Sequence, residues 1–101
     1  MPKKLRIEYL PIAESDLFEI FDYIFLDSPQ SAVKMIDLFD ERISILAEFP
    51  FSGREINDKL LRKLGYRFLA IENYLVFYVI KEKSVEIRRI LHGSREFLFL
   101  L

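Results

Sequence analysis

The chain has 101 residues, room for one domain spanning 1–101 and not for a second core. It is 51% hydrophobic and 15% aromatic; the absence of cysteine excludes a disulfide frame and a thiolate zinc site, and fits a reducing, cytoplasmic setting. A net charge of -1 conceals a split: residues 1–53 carry five basic and ten acidic side chains, residues 54–95 ten basic and five acidic, as a basic functional face on an acidic support would.

The N-terminal apolar run is too short for a signal peptide or a membrane span. From Lys4 to Leu10, apolar Leu5, Ile7 and Tyr9 alternate with polar Lys4, Arg6 and Glu8, the period of a strand with one buried face, which Pro11 ends. The spacing then becomes helical from Ile12 to about Leu26, through Ala13, Leu17, Ile20 and Ile24. Ser28 before Pro29 reads as an N-cap followed by proline at the first helical position. The second helix carries Ala32, Ile36, Phe39, Ile43 and Leu46 and stops before Pro50, so the two helices should form an antiparallel hairpin. Phe18, Phe25, Leu38 and Ile45 fall off the main stripes, as packing on two sides or an interface would require.

Residues 50–58 read as a loop punctuated by Pro50 and Gly53, with a helical turn at Lys59 to Leu64. Three hairpin-linked strands follow, Tyr66 to Ile71, Tyr74 to Ile80 and Val85 to Leu91. The middle one, apolar throughout, should be covered on both faces. At Arg88-Arg89 the alternation breaks, which requires either a bulge or one arginine on each face. The apolar tail from Phe97 to Leu101 should dock on its own sheet or on another chain. The order β-α-α-β-β-β gives an α+β domain, a helical hairpin on one face of an antiparallel sheet, with exposed polar side chains on the other face.

No glycine-rich phosphate loop and no metal-ligand spacing occur, and no cofactor is expected. Ser94 and His92 lie two apart in an extended segment, with no third group to orient them. What remains is basic and aromatic: Arg54, Lys59, Arg62, Lys63, Arg67, Tyr74, Tyr78, Arg88, Arg89, His92 and Arg95. Such a set can clamp phosphate and stack bases, or grip the carboxylates of an acidic partner, and composition does not choose between them. Arg67 or Arg89 alone could equally be a strand residue bridged to Glu72 or Glu86, and Tyr74 and Tyr78 read best as core.

The series Ala13-x-x-Asp16-Leu17-x-x-Ile20-x-x-Tyr23-Ile24, Pro29-x-x-Ala32, Pro50-x-x-Gly53-Arg54, Gly65-Tyr66-Arg67, Tyr74-x-Val76-x-Tyr78 and Ile90-Leu91-His92-Gly93-Ser94-Arg95-Glu96 resembles the ParE branch of the RelE/ParE toxin superfamily. The resemblance covers nearly the whole chain. It implies the toxin of a bacterial type II toxin–antitoxin module, neutralised by a cognate antitoxin that wraps it, with operator DNA reached only through the antitoxin. A toxin–antitoxin heterotetramer is compatible with it, and no membrane partner is expected. On this reading Phe18, Phe25, Leu38, Phe97 and Leu98 meet the antitoxin, and Arg54, Arg67, Arg88, Arg89, His92 and Arg95 meet the target.

The resemblance offers two activities. ParE-like members poison DNA gyrase by binding, and the His-Gly-x-Arg ending at 92–95 is similar to theirs. RelE-like members cut mRNA on the ribosome, for which Arg67, His92 and Arg95 are the catalytic candidates. Against that activity, Leu75 follows Tyr74 where those members carry arginine, and residues 97–101 contain no tyrosine. Removing charges that stabilise a phosphoryl transition state costs powers of ten in rate, so the sequence favours the gyrase reading. A degenerate toxin that keeps only antitoxin binding and autoregulation is the remaining alternative.

Overall fold

The computed structural model describes residues 4–94 and 100–101. Strand β1 (Arg6–Tyr9) exposes Arg6 and Glu8 and half-buries Ile7 and Tyr9, as its period of two requires. Helix α1 (Pro11–Asp27) starts on proline, whose missing N–H costs nothing in a first turn, and buries Ala13, Asp16 and Ile20. It ends because Ser28 precedes Pro29 and is pushed out of the helical region, to φ -153° and ψ 106°. The same serine starts α2 (Pro29–Ser44): its Oγ accepts the Ser31 N–H at 3.2 Å, a cap worth about 1 kcal/mol. Helix α2 buries Ala32, Phe39 and Ile43 before two 3-10 turns, Ile45–Ala47 and Pro50–Ser52.

Strand β2 (Arg54–Glu55), helix α3 (Lys59–Lys63), β3 (Tyr66–Ile71), β4 (Tyr74–Ile80) and β5 (Ser84–His92) follow. Asp58 caps α3 by accepting the Leu61 N–H at 2.9 Å. The sheet order is β1-β5-β4-β3-β2.

The α+β architecture and the helical hairpin stand as the sequence led us to expect, and three details differ. The sheet is mixed, because β1 joins β5 in parallel while the other pairs are antiparallel. Alternation reports which face of a strand is buried and carries no information on its direction. Arg54 and Glu55 add a fifth, two-residue strand where a loop was expected. The face away from the hairpin is not simply polar: Ile56, Leu61, Tyr66, Phe77, Val79 and Leu91 form a second buried cluster.

The first cluster, under α1 and α2, gathers Ile20, Phe39, Ile43, Val76, Tyr78 and Ile87, among others. Strand β4 serves both, Val76 and Tyr78 on one side and Phe77 and Val79 on the other, which explains its unbroken apolar run. Leu100 and Leu101 pack on the second cluster, while Arg95, Phe97 and Leu98 lie outside the described residues. Phe77 pairs with Arg89 and Tyr78 with Ile87, so Arg88 is the extra residue of a bulge and the alternation break is resolved. Among the described residues, no helix is long and apolar enough to cross a membrane.

Candidate partner-binding site

Arg54 and Arg67 stand on the paired strands β2 and β3, whereas Arg88 is on β5, with β4 between it and β3. Arg67 stands opposite Tyr78, and its Nη2 donates to the carbonyls of Gly53 at 2.7 Å and Phe51 at 3.1 Å. Its guanidinium lies 5.3 Å from the centre of the Phe51 ring, and Nη1 is 3.6 Å from the Glu55 carboxylate. The loop is held from below as well. Tyr78, fully buried, donates its hydroxyl to the Pro50 carbonyl at 2.7 Å and accepts the Gly53 N–H at 3.1 Å. The apolar β4 thus positions the loop through one phenol, and the core reading of Tyr78 holds.

Arg88, turned by the bulge to the second face, lies 5.6 Å from the centre of the Tyr66 ring and 2.7 Å from Glu86. Beside Arg67, a groove of about 300 Å³ is walled by Phe51, Glu55, Arg62, Tyr66, Arg67 and Ile80, and Arg88 does not line it. The sequence reading did not single out Phe51, and it named Arg62 only within the wider basic set and not as a target contact. "PFSG" reads as a turn, and Arg62 is one of several cations on a short helix.

Arg89 and His92 stand elsewhere. Arg89 grips Asp16 through Nε at 2.8 Å and Nη2 at 2.9 Å, and Nη1 donates to the Leu100 carbonyl. The hydrogen bond to Asp16 raises the Arg89 pKa against the opposing effect of burial. Asp16 also accepts the buried Ile90 N–H at 3.0 Å.

His92, exposed at the end of β5, packs edge-on against Tyr74 with ring centres 5.5 Å apart. Its Nδ1 accepts the Ser94 N–H at 3.2 Å and lies 2.7 Å from Ser94 Oγ. The structure therefore does bring Ser94 to His92, which the extended reading of this segment did not anticipate. The turn at Gly93 closes the pair, its N–H donating to the Asn73 carbonyl at 2.8 Å. The contact is a local turn bond, and no side chain among the described residues hydrogen-bonds His92 from its other nitrogen. Tyr74 has its pKa raised by burial first and by Tyr23 second.

The helical layer offers a different chemistry. Phe18 is 68% exposed and Phe25 46%, the latter in ring contact with Phe21, whereas Leu38 is half-buried against the first cluster. Phe18 borders a groove of about 400 Å³ between α1 and α2, with Tyr9, Glu14, Ile36, Asp37 and Asp40. Burial, and secondarily Asp40, pushes the Tyr9 pKa up to about 12. This face is apolar with an acidic rim, while the β2–β3 edge is aromatic with a basic one.

Comparison with known proteins gives a consistent assignment. Residues 7–97 match the sequence model of the ParE toxin of the type II toxin–antitoxin system parDE. The candidate toxin Y4kP of Sinorhizobium fredii (strain NGR234) is 33% identical over 91 residues, which are 90% of this chain and 91% of that protein. A chain from the chromosomal ParDE toxin–antitoxin system of P. aeruginosa has the same fold. It superposes with a TM-score of 0.75 at 24% identity, covering 90% of this chain and 98% of that one.

Proposed function

The chain belongs to the ParE toxin family of type II toxin–antitoxin systems, and from that premise we propose that it arrests growth by binding and poisoning DNA gyrase rather than by cutting RNA. The observation that carries this reading is the separation of Arg67 from His92, the two nuclease candidates among the described residues. Arg67 stands opposite Tyr78 and His92 opposite Tyr74, on strands either side of β4, which puts their Cα atoms about 16 Å apart by strand rise and spacing. Arg67 is tied to the 50–53 loop and His92 to Ser94 and Tyr74. Groups fixed on different neighbours at that distance do not form the mutual geometry a cleavage site needs.

Binding asks less of them, since held arginines and exposed aromatics suffice to anchor a protein partner. The toxin acts in the cytoplasm. The antitoxin covers Phe18 and Phe25, joins the toxin in a heterotetramer and carries the only operator contacts.

Purified toxin should inhibit supercoiling by gyrase, accumulate the cleaved gyrase–DNA complex, and lose both effects on adding antitoxin. Ribosome-dependent mRNA cuts with supercoiling untouched would overturn the reading.

A further inference from the structure

Arg54, Lys59, Arg62 and Lys63 are exposed, and none of the four forms an ion pair among the described residues. Beside them Phe49, Phe51, Leu60 and Leu64 are each more than half exposed. Cations without counter-ions next to uncovered apolar side chains call for a partner that is acidic and apolar together. A phosphate backbone meets only half of this demand, because it takes up positive charge and buries no leucine.

The groove that shares Phe51 and Arg62 with this patch supplies the detail. Arg67 Nε is buried there without an acceptor. Glu55 already shows which anion the corner accepts, for its carboxylate stands 3.6 Å from Arg67 Nη1, exposed and stretched. With Glu55 exposed and the contact long, the pair contributes little, so an incoming carboxylate can replace it. Arg62 faces the same space from α3, and Phe51 and Tyr66 supply ring surface beside it.

We propose that the groove walled by Phe51, Arg62, Tyr66 and Arg67 is where the toxin grips its target, and that the target presents an Asp or Glu side chain next to an apolar residue on a protein surface. The proposal rests on the gyrase reading and adds the contact surface and its chemistry. It places target and antitoxin on different parts of the molecule, the target at the basic β2–α3 edge and the antitoxin on the acidic helical hairpin.

The test compares wild-type toxin with Arg62→Glu, Phe51→Ser and, as a second charge reversal on exposed surface, Lys63→Glu. Each is measured for thermal stability and for binding to purified gyrase subunits, purified antitoxin and a bare DNA duplex. Arg62→Glu and Phe51→Ser should each weaken gyrase binding about tenfold or more, Lys63→Glu by less, with antitoxin affinity within about twofold of wild type. A Phe18→Ser control should do the reverse.

If wild type inhibits gyrase and Arg62→Glu, Phe51→Ser and Lys63→Glu all bind it undiminished, the groove is wrong and the gyrase reading stands. If wild type does not touch gyrase, both fall together. Loss of antitoxin affinity in well-folded variants with gyrase binding intact would assign the groove to the antitoxin. Bare-duplex binding that Arg62→Glu abolishes would assign it to nucleic acid. Either result overturns the proposal.

Discussion

Asp16 divides two oxygens among three donors: Arg89 Nε, Arg89 Nη2 and the Ile90 N–H. The need arises from the neighbouring strand. β1 stops at Tyr9, opposite Ile87, so the outer edge of β5 beyond that point has no strand to take its backbone groups. Removing one partner of a buried pair leaves the other uncompensated, so Asp16→Ala should cost roughly 3 kcal/mol in urea unfolding. Asp16→Asn should cost less, because its amide oxygen still accepts from Ile90. Replacing Asp16 and Arg89 together by leucine should cost less than the sum of the single changes, and simple additivity would mean that the pair is not coupled. Sequence placed Asp16 in the quoted pattern but not in this bond. Its partner lies 73 positions away, and a bulge decides which arginine of Arg88-Arg89 turns towards it.

At the scale of elements, whatever is periodic was legible: both helices, the shared serine between them and the three hairpin strands. Elements set by a single distant contact were not. β2 is too short for alternation to register, and the loop before it is shaped by Tyr78 rather than by its own residues. Gly53 shows how closely. A Cβ there would meet the Phe68 carbonyl oxygen at 2.7 Å and collide with the Tyr78 hydroxyl. Gly53→Ala should therefore lower stability by about 1–3 kcal/mol, read by thermal unfolding. Tyr78→Phe removes the hydroxyl in the way, so the double variant should lose less than the two single losses combined. A neutral Gly53→Ala would mean that the loop moves freely over the tyrosine.

On the scale of the whole molecule, the charge split of the sequence becomes two faces. Glu14, Glu19, Asp22, Asp27, Asp37, Asp40 and Glu41 are exposed on α1 and α2, against Lys34 and Arg42. Arg54, Lys59, Arg62 and Lys63 lie on β2 and α3. The split was readable because β2 and α3 follow the helical layer in sequence. The gathering of Phe51, Arg62 and Arg67 was not, because it depends on how the loop folds back over β3. An antitoxin docking on the helical face should bring positive charge to it, and its association rate should fall about tenfold or more from low to high salt. A rate independent of salt would place the antitoxin elsewhere.

The single residue between α1 and α2 has a further consequence. Ser28 closes one helix through its N–H on Ile24 and caps the next through its Oγ, so a single residue joins the two helices, and both are held against the sheet by the first cluster. A short joint and packing on the sheet leave the grooves along the hairpin little conformational freedom to lose on binding. Recognition on that side is a lock already cut, and the entropy of ordering falls on whatever segment comes to lie across it.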